Sequence, residues 1–165
     1  MIALFIGRFQ PFHNAHLSDV KLILGECGSV IIGIGSSQES WTKANPFSYN
    51  ERKEMIEMTL KAQKIKDYKI VAIPDIDDNE KWVEHVKRLV PSFDIVYTGN
   101  DLTEKLFEKK NIRLRKIKLI PGISATEIRK RILSGGDWKA LVPKEVADYI
   151  EKIRGTERIK RINSS

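Results

Sequence analysis

The sequence is poor in the features that mark extracellular or membrane proteins. Cys27 is its only cysteine, so no disulfide forms within the chain, as suits a reducing compartment. No apolar run approaches the ~18 residues that a membrane-spanning helix needs. The N-terminus enters an apolar strand pattern directly, without the form of a signal peptide. From these absences we expect a cytoplasmic protein with no membrane partner.

What remains is the composition of a folded α/β protein. The 165 residues are 41% hydrophobic and 31% charged, which predicts a single domain over residues 1–165. Apolar periodicity predicts strands at 2–7, 29–34, 69–74, 93–97 and 114–120, and helices at 14–26, 49–64, 79–89, 101–110, 125–134 and 144–154. This alternation predicts a Rossmann-like doubly wound parallel sheet of about five strands, with helices on both faces. Residues 144–165 would form a C-terminal helix and a short basic tail that frays.

Charge is unevenly distributed along the chain. The net charge is +7, and residues 109–131 hold nine basic side chains against Glu127 alone. These residues form either solvated faces or a site for phosphorylated substrates. A basic nucleic-acid-binding module is a third reading, which a steep salt dependence of DNA binding would support. We expect no nucleic-acid partner, because a binder would not need the intact motifs described next.

The first motif is the segment from Gly7 to His16, which reads Gly-Arg-Phe-Gln-Pro-Phe-His-Asn-Ala-His. It follows a buried strand, and its two histidines lie three residues apart at the start of an amphipathic stretch, so they share one helix face. Helix N-termini attract phosphate through free N–H groups. The segment therefore predicts a polyphosphate site without a Walker-type lysine. Zinc is the alternative ligand, but no third ligand has convincing spacing.

A second motif follows Pro121-Gly122-Ile123 and runs from Ser124 to Arg129. Ser124-x-x-Glu127 is a capping box, as is Ser48-x-x-Glu51, so each predicts a helix start. Hydroxyls and an arginine at a capped helix start are again suited to an anion. Further candidate segments, Gly33–Ser37, Pro74–Asp78 and Thr98–Asp101, fall at the carboxyl ends of predicted strands, so with Gly7 and Arg8 they would meet at one edge of the sheet.

The two motifs together resemble the signatures of the nucleotidylyltransferase superfamily, His-x-Gly-His and Ile-Ser-x-Thr-x-Ile-Arg. The Arg-Phe-Gln-Pro-x-His wording resembles the archaeal-type nicotinamide-nucleotide (NMN) adenylyltransferases most closely. Asn-Pro-Phe at 45–47 and Glu-Arg-x-x-Met-Ile from Glu51 also match that family. Ala15 departs from the pattern, since the superfamily usually has glycine there.

The resemblance implies a reaction: ATP and nicotinamide mononucleotide give NAD and pyrophosphate by direct in-line attack, with no covalent enzyme intermediate. It implies Mg²⁺ bound with ATP, no metal held by the protein itself, and a homo-oligomer. His16, His13 and Arg8 would be catalytic. The ATP and phosphate contacts would be Gly7, Arg8, Phe9, His13, His16, Gly99, Asn100, Ser124, Thr126 and Arg129. The NMN contacts would be Ser36, Gln38, Arg52, Asn79 and Trp82, with the indole of Trp82 stacked on the nicotinamide ring.

Several alternatives stay open at this point. Trp82 has a second interpretation as a core residue, which is the usual position of a tryptophan near the end of a strand. Arg52 is equally consistent with a surface ion pair. Another adenylyl- or cytidylyltransferase, acting on a flavin, pantetheine or polyol phosphate, would share the phosphate half of the site. A class I aminoacyl-tRNA synthetase also uses His-x-Gly-His, but this length leaves no room for an anticodon domain and no Lys-Met-Ser-Lys-Ser-like loop is present.

Overall fold

The computed structural model describes residues 1–164 and contains a five-stranded, all-parallel sheet with flanking helices. The strands are β1 (Ile2–Gly7), β2 (Ser29–Gly35), β3 (Tyr68–Ile73), β4 (Ile95–Thr98) and β5 (Leu114–Lys116). Their order is β3-β2-β1-β4-β5. The helices are α1 (Asn14–Cys27), α2 (Tyr49–Ala62), α3 (Asn79–Leu89), α4 (Asp101–Lys109), α5 (Ala125–Ser134), α6 (Lys144–Lys152) and α7 (Gly155–Ser164). This is the strand order of a Rossmann-like α/β fold, which confirms the predicted class.

The chain forms two compact units. Unit 1 contains Met1–Gly7, Ser18–Ser37 and Asp67–Leu119, and therefore the whole sheet. Its core cluster joins alternate residues of β1 to α3 and α4, and contains Leu4, Ile6, Ile31, Ile73, Val83, Val86, Val90, Val96 and Phe107. Packing is close where β2 crosses this core, since a Cβ added at Gly33 would lie 2.6 Å from Ile73 Cδ1. That atom is the end of a flexible side chain, so a larger residue at position 33 would displace the Ile73 methyl group.

Unit 2 contains Arg8–Leu17, Gln38–Lys66 and Ile120–Ser165. Within it α2 packs on α6, and α7 packs on both α5 and α6. The α6–α7 junction is tight, because a Cβ at Gly155 would lie 2.9 Å from Ile150 Cγ2 and 3.0 Å from Phe47 Cε1. That the whole chain acts as one domain stays a prediction.

All five predicted strands and all six predicted helices are present, with two corrections at the basic end of the chain. The strand predicted over 114–120 ends at Lys116, and residues 117–120 have no regular structure. The predicted fraying tail is a helix, α7, on which Ile159 is 1% exposed and Arg158 is 9% exposed. An apolar residue and one anchored arginine fix this helix, although the charge of the segment suggested solvation.

Candidate active site

The start of α1 is capped by two imidazoles. His13 occupies the N-cap position, and its side chain accepts the backbone N–H of His16, at 3.4 Å from Nδ1. In return the Nδ1 atom of His16 accepts the backbone N–H of His13 at 3.1 Å. The two rings stack with centroids 3.5 Å apart and planes inclined by 16°. This is the reciprocal geometry of a capping box, with imidazoles in place of the usual hydroxyl and carboxylate.

These hydrogen bonds determine the protonation of both rings. A nitrogen that accepts an N–H carries no proton, so the tautomer that fits each neutral imidazole has its proton on Nε2. Burial lowers the pKa of His13 to about 4. Burial, and then the charge on His13, hold the pKa of His16 well below 6.5. At neutral pH each ring therefore offers one Nε2–H donor and no charge.

Two phenylalanines support the histidine pair. The His16 ring meets Phe9 edge-on at 4.7 Å between centroids and stacks on Phe12 at 5.5 Å. Phe9 is 2% exposed and has a positive φ of 52°. A left-handed backbone costs such a residue about 1–2 kcal/mol, and strain of this kind clusters at functional sites. Burial of the Phe9 ring keeps the segment in this conformation.

Two arginines of unit 2 influence each other. Burial, and then the charge of Arg8, lower the pKa of Arg129, which lies one turn into α5. Arg8 is exposed, and Arg129 Nη1 donates to the backbone oxygen of Gln10 at 2.8 Å. Two interacting like charges repel each other, and an anion bound between them would relieve that repulsion. The pair therefore favours a phosphate ligand.

The start of α5 adds hydroxyls to the same unit. Ser124 is the N-cap residue, and its Oγ accepts the backbone N–H of Glu127 at 3.0 Å. The side chain of Glu127 turns to Arg131 at 3.2 Å, so only half of the predicted capping box forms here. Ser124 and Thr126 are both exposed. This helix start therefore presents hydroxyl groups to solvent beside the partial positive charge of its N–H groups.

Arg52 lies at a different kind of position from the other arginines. Its side chain is fully buried, and its guanidinium donates to the carbonyls of Arg8 at 2.9 Å, Ser48 at 3.2 Å and Glu39 at 3.4 Å. The alternative prediction of a surface ion pair for Arg52 is thus wrong, because the guanidinium is inside the protein and donates hydrogen bonds to main-chain carbonyls. Contact between Arg52 and nicotinamide mononucleotide stays a prediction.

The remaining predicted site residues divide between the units. Gln38 is exposed in unit 2, and the others belong to unit 1. Gly7 is the last residue of β1, and the rest come after β2, β3 and β4: Ser36, Asn79, Trp82, Gly99 and Asn100. Asn100 is the N-cap of α4, and its side chain accepts the N–H of Thr103 at 2.9 Å. Trp82 is half-buried and meets Phe107 edge-on at 5.6 Å, so one part of the indole belongs to the core.

Two residues with clear roles were missed in the sequence. Gln10 lies in the first motif, whose pattern predicts no function for it, and Arg158 lies in the segment that the sequence predicts to fray. The structure buries both, at 2% and 9% exposure. A glutamine inside an otherwise apolar turn was the available signal for Gln10, because a buried amide needs partners. No local pattern identified Arg158, whose partner Glu51 lies 107 positions away.

Residues 1–164 lack two further features. No group of three or more His, Cys, Asp or Glu side chains is arranged to hold a metal ion. No described helix is both long and apolar enough to cross a membrane.

The profile of the cytidylyltransferase-like family matches residues 4–131, which include the start of α1 and the start of α5. This match defines the class of protein to which the fold and the two motifs correspond.

Curated relatives narrow the class. A nicotinamide-nucleotide adenylyltransferase of Methanococcus aeolicus is 50% identical over 165 residues, which are 99% of this chain and 95% of the relative. The same-named protein of Thermoplasma volcanium is 42% identical over 99% of this chain and 93% of its own length. The chain therefore belongs to the nicotinamide-nucleotide adenylyltransferases of the cytidylyltransferase-like family.

A solved structure supports the fold alone. The chain superimposes with a TM-score of 0.76 on a bifunctional NMN adenylyltransferase/ADP ribose pyrophosphatase of Francisella tularensis, crystallised with AMP and a manganese ion, at 24% identity. The superposition covers 98% of this chain and 51% of that one, so this chain spans about half of its length.

Proposed function

We propose that this protein transfers the adenylyl group of ATP to the 5′-phosphate of nicotinamide mononucleotide, giving NAD and pyrophosphate. The observation that carries the proposal is the neutral histidine pair at the start of α1, in the same unit as Arg8 and Arg129. The family membership supports the choice of reaction, and the names of the relatives support the choice of substrates.

The chemistry is a direct in-line displacement. An oxygen of the mononucleotide 5′-phosphate attacks the α-phosphorus of ATP, and the bond from that phosphorus to the β-bridging oxygen breaks. Pyrophosphate leaves with that electron pair, so no side chain needs to become covalently attached. Reactions of this kind depend on positioning and on stabilisation of charge in the transition state.

The residues of unit 2 take the charge of the triphosphate. The Nε2–H groups of His13 and His16 donate to α-phosphate oxygens, whose charge grows during attack. Arg8 assists at the α-phosphate, and Arg129 neutralises the departing pyrophosphate. Ser124 and Thr126 donate hydroxyls to the β- and γ-phosphates. Neutral histidines suit this role, since they bind oxygen without releasing a proton to it.

A divalent cation, proposed to be Mg²⁺, would arrive with ATP, since this ion prefers phosphate oxygens and water as ligands. When bound, it would supply charge withdrawal from the triphosphate. The basic and hydroxyl side chains of unit 2 fit such a complex, because they would hold phosphate oxygens beside it.

The substrate contacts outside the phosphate groups are proposals from the family resemblance. Trp82 stacks on the nicotinamide ring while Asn79 binds the same half of the mononucleotide, together with Ser36, Gln38 and Arg52. Gly7 and Phe9 contact ATP, and Gly99 and Asn100 contact its adenosine half. A cytoplasmic location and a homo-oligomeric state are also proposals of this kind.

The test is pyrophosphate release with ATP, Mg²⁺ and four acceptors: nicotinamide mononucleotide, its deamido form, flavin mononucleotide and phosphopantetheine. We expect turnover with nicotinamide mononucleotide and NAD as the product. Turnover with flavin mononucleotide or phosphopantetheine alone would keep the phosphate chemistry and overturn the roles of Trp82 and Asn79. If the folded protein released no pyrophosphate with any of the four acceptors, the proposed function would be refuted.

A further inference from the structure

Gln10 makes the most complete set of buried polar contacts in the first motif. Its side-chain amide is bonded at both ends to one residue: Nε2 donates to the carbonyl of Phe47 at 3.0 Å, and Oε1 accepts the N–H of Phe47 at 2.9 Å. Gln10 itself is 2% exposed. Such a two-point bond fixes the position and the rotation of the main chain around residue 10.

The backbone of Gln10 is equally engaged. Its carbonyl oxygen accepts Nη1 of Arg129 at 2.8 Å, and that arginine is one of the two charges that favour phosphate. An arginine held by a fixed acceptor has fewer orientations open to it, so less entropy is lost when it binds an anion. The position of the Gln10 carbonyl therefore determines, through this hydrogen bond, the position of the Arg129 guanidinium.

The residues that hold Phe47 are themselves fixed. Arg158 Nη1 donates to the carbonyl of Pro46 at 3.1 Å, and its guanidinium lies 4.3 Å from the ring centre of Trp41. The Phe47 side chain is fully buried. The amide of Gln10 thus attaches the motif segment to a rigid part of unit 2.

We infer that Gln10 is a positioning residue for ATP binding: its side-chain amide, bonded to Phe47, sets its own carbonyl where that carbonyl orients Arg129 toward the triphosphate. This inference rests on the phosphate role given to Arg129 in the proposed function. It adds a residue that touches no substrate and acts through the arginine.

The test measures the Kd of ATP by isothermal titration calorimetry, without a second substrate. Gln10→Met keeps the length of the side chain and removes both bonds to Phe47, so we expect ATP binding to weaken about tenfold, since a misplaced binding group costs at least that much. Thr59→Val is the matched control, because it also removes a buried hydrogen bond of unit 2, from Thr59 Oγ1 to Met55 O at 2.8 Å. The control should change the Kd by less than about twofold.

A double-variant cycle separates positioning from general stability. In an Arg129→Ala background the further change Gln10→Met should leave the Kd unaltered, because the group through which Gln10 acts is gone. An equal loss in both backgrounds, or a wild-type Kd for Gln10→Met, would overturn the inference. If Gln10→Met does not fold, Gln10→Glu, which keeps the acceptor for the Phe47 N–H and loses the donor, takes its place with an expected loss of about threefold or more.

The outcome also separates this inference from the proposed function. Tight ATP binding with no NAD formation would refute the function and leave the role of Gln10 to be decided by the cycle. Failure of the wild-type protein to bind ATP would overturn both.

Discussion

Two helices begin within unit 2 with the same reciprocal hydrogen-bond pattern, and the side chains that make it differ in charge. At α2 the pattern joins Ser48 and Glu51, with the backbone N–H of Ser48 2.9 Å from Glu51 Oε1 and that of Glu51 3.2 Å from Ser48 Oγ. At α1 it joins His13 and His16. The first box is ionised and the second is neutral.

The ionised box of Ser48 and Glu51 has a third partner, Arg158, from a distant part of the chain. Arg158 donates to both carboxylate oxygens of Glu51, at 2.6 Å and 2.8 Å. Burial alone would raise the pKa of Glu51, but the hydrogen bonds from Arg158 and Ser48 and the charge of Arg158 outweigh it, so the pKa is lowered. Both carboxylate oxygens of Glu51 are therefore occupied within the protein, which makes this box a structural device.

The neutral box has a second nitrogen on each ring that takes no part in capping. The Nδ1 atoms of His13 and His16 make the cap, and the Nε2–H groups are outside it. The comparison teaches that one backbone pattern is built here from a charged pair, which serves stability, and from a neutral pair, to which we also give a role in the proposed function.

The largest effect should come from breaking the ionised box. Arg158→Met leaves a carboxylate that is 18% exposed without its partner, so we expect a loss of about 3 kcal/mol in the free energy of unfolding. Urea denaturation measures it. Lys144→Met is the control, because its pair with Asp148 is 84% and 58% exposed, so solvent screens it and its loss should leave the stability nearly unchanged. Equal losses in the two variants would mean that Glu51 is satisfied by solvent.

The next effect comes from breaking the neutral box. His16→Ala removes the Nε2–H donor that we propose stabilises developing charge, so kcat for NAD formation should fall by ~10²-fold or more, which corresponds to about 2.7 kcal/mol. Capping is also weakened, by roughly 1 kcal/mol. Steady-state kinetics and circular dichroism separate these losses. Near-normal turnover in a folded variant would remove His16 from the mechanism.

The two boxes also differ in how much of them the sequence predicts. Ser48-x-x-Glu51 predicted the start of α2 directly, because the residues that make a cap are close in sequence. The phosphate role of His13 and His16 was predicted from the same spacing, but their mutual capping was not, since imidazoles seldom cap helices. Partners of Glu51 and of Gln10 lie far along the chain, so only the fold identifies them. That also explains why α7 was missed.

The two capping boxes should lose their contributions to folding stability at different pH values as the solution is acidified. The folded pKa of His13 is lowered to about 4, so the unfolded state binds its proton first and stability falls as pH drops from 6.5 towards 4. His16 has the same sign. Asp19 has the opposite sign, because burial raises its pKa from 3.8 to about 7 and the folded state binds that proton first. The stability due to Glu51 is present above 4.5 and is lost as pH falls through its lowered pKa.

Between pH 6.5 and 4 the net stability should fall as the pH falls, because His13 and His16 both lose stability there and Asp19 alone gains it. His13→Asn keeps a good capping residue and removes one titrating group, so its slope should be shallower than that of the wild type. Asp19→Asn removes the opposing group and should make the slope steeper. Urea denaturation at a series of pH values gives all three slopes. Identical slopes would mean that His13 and Asp19 titrate alike in the folded and unfolded states.

The smallest effect compares the hydroxyls that cap α2 and α5. Ser48→Ala and Ser124→Ala each remove one N-cap acceptor, so each should cost about 1 kcal/mol of folding stability. Only Ser124 is proposed to bind phosphate, so only Ser124→Ala should also weaken the binding of ATP. The Kd should rise by about threefold or more for one lost hydrogen bond. Calorimetry on the two variants makes the comparison at matched stability. A weakened ATP affinity in Ser48→Ala as well would show that any loosened helix start disturbs the site, and that the exposed hydroxyl of Ser124 holds no special place in it.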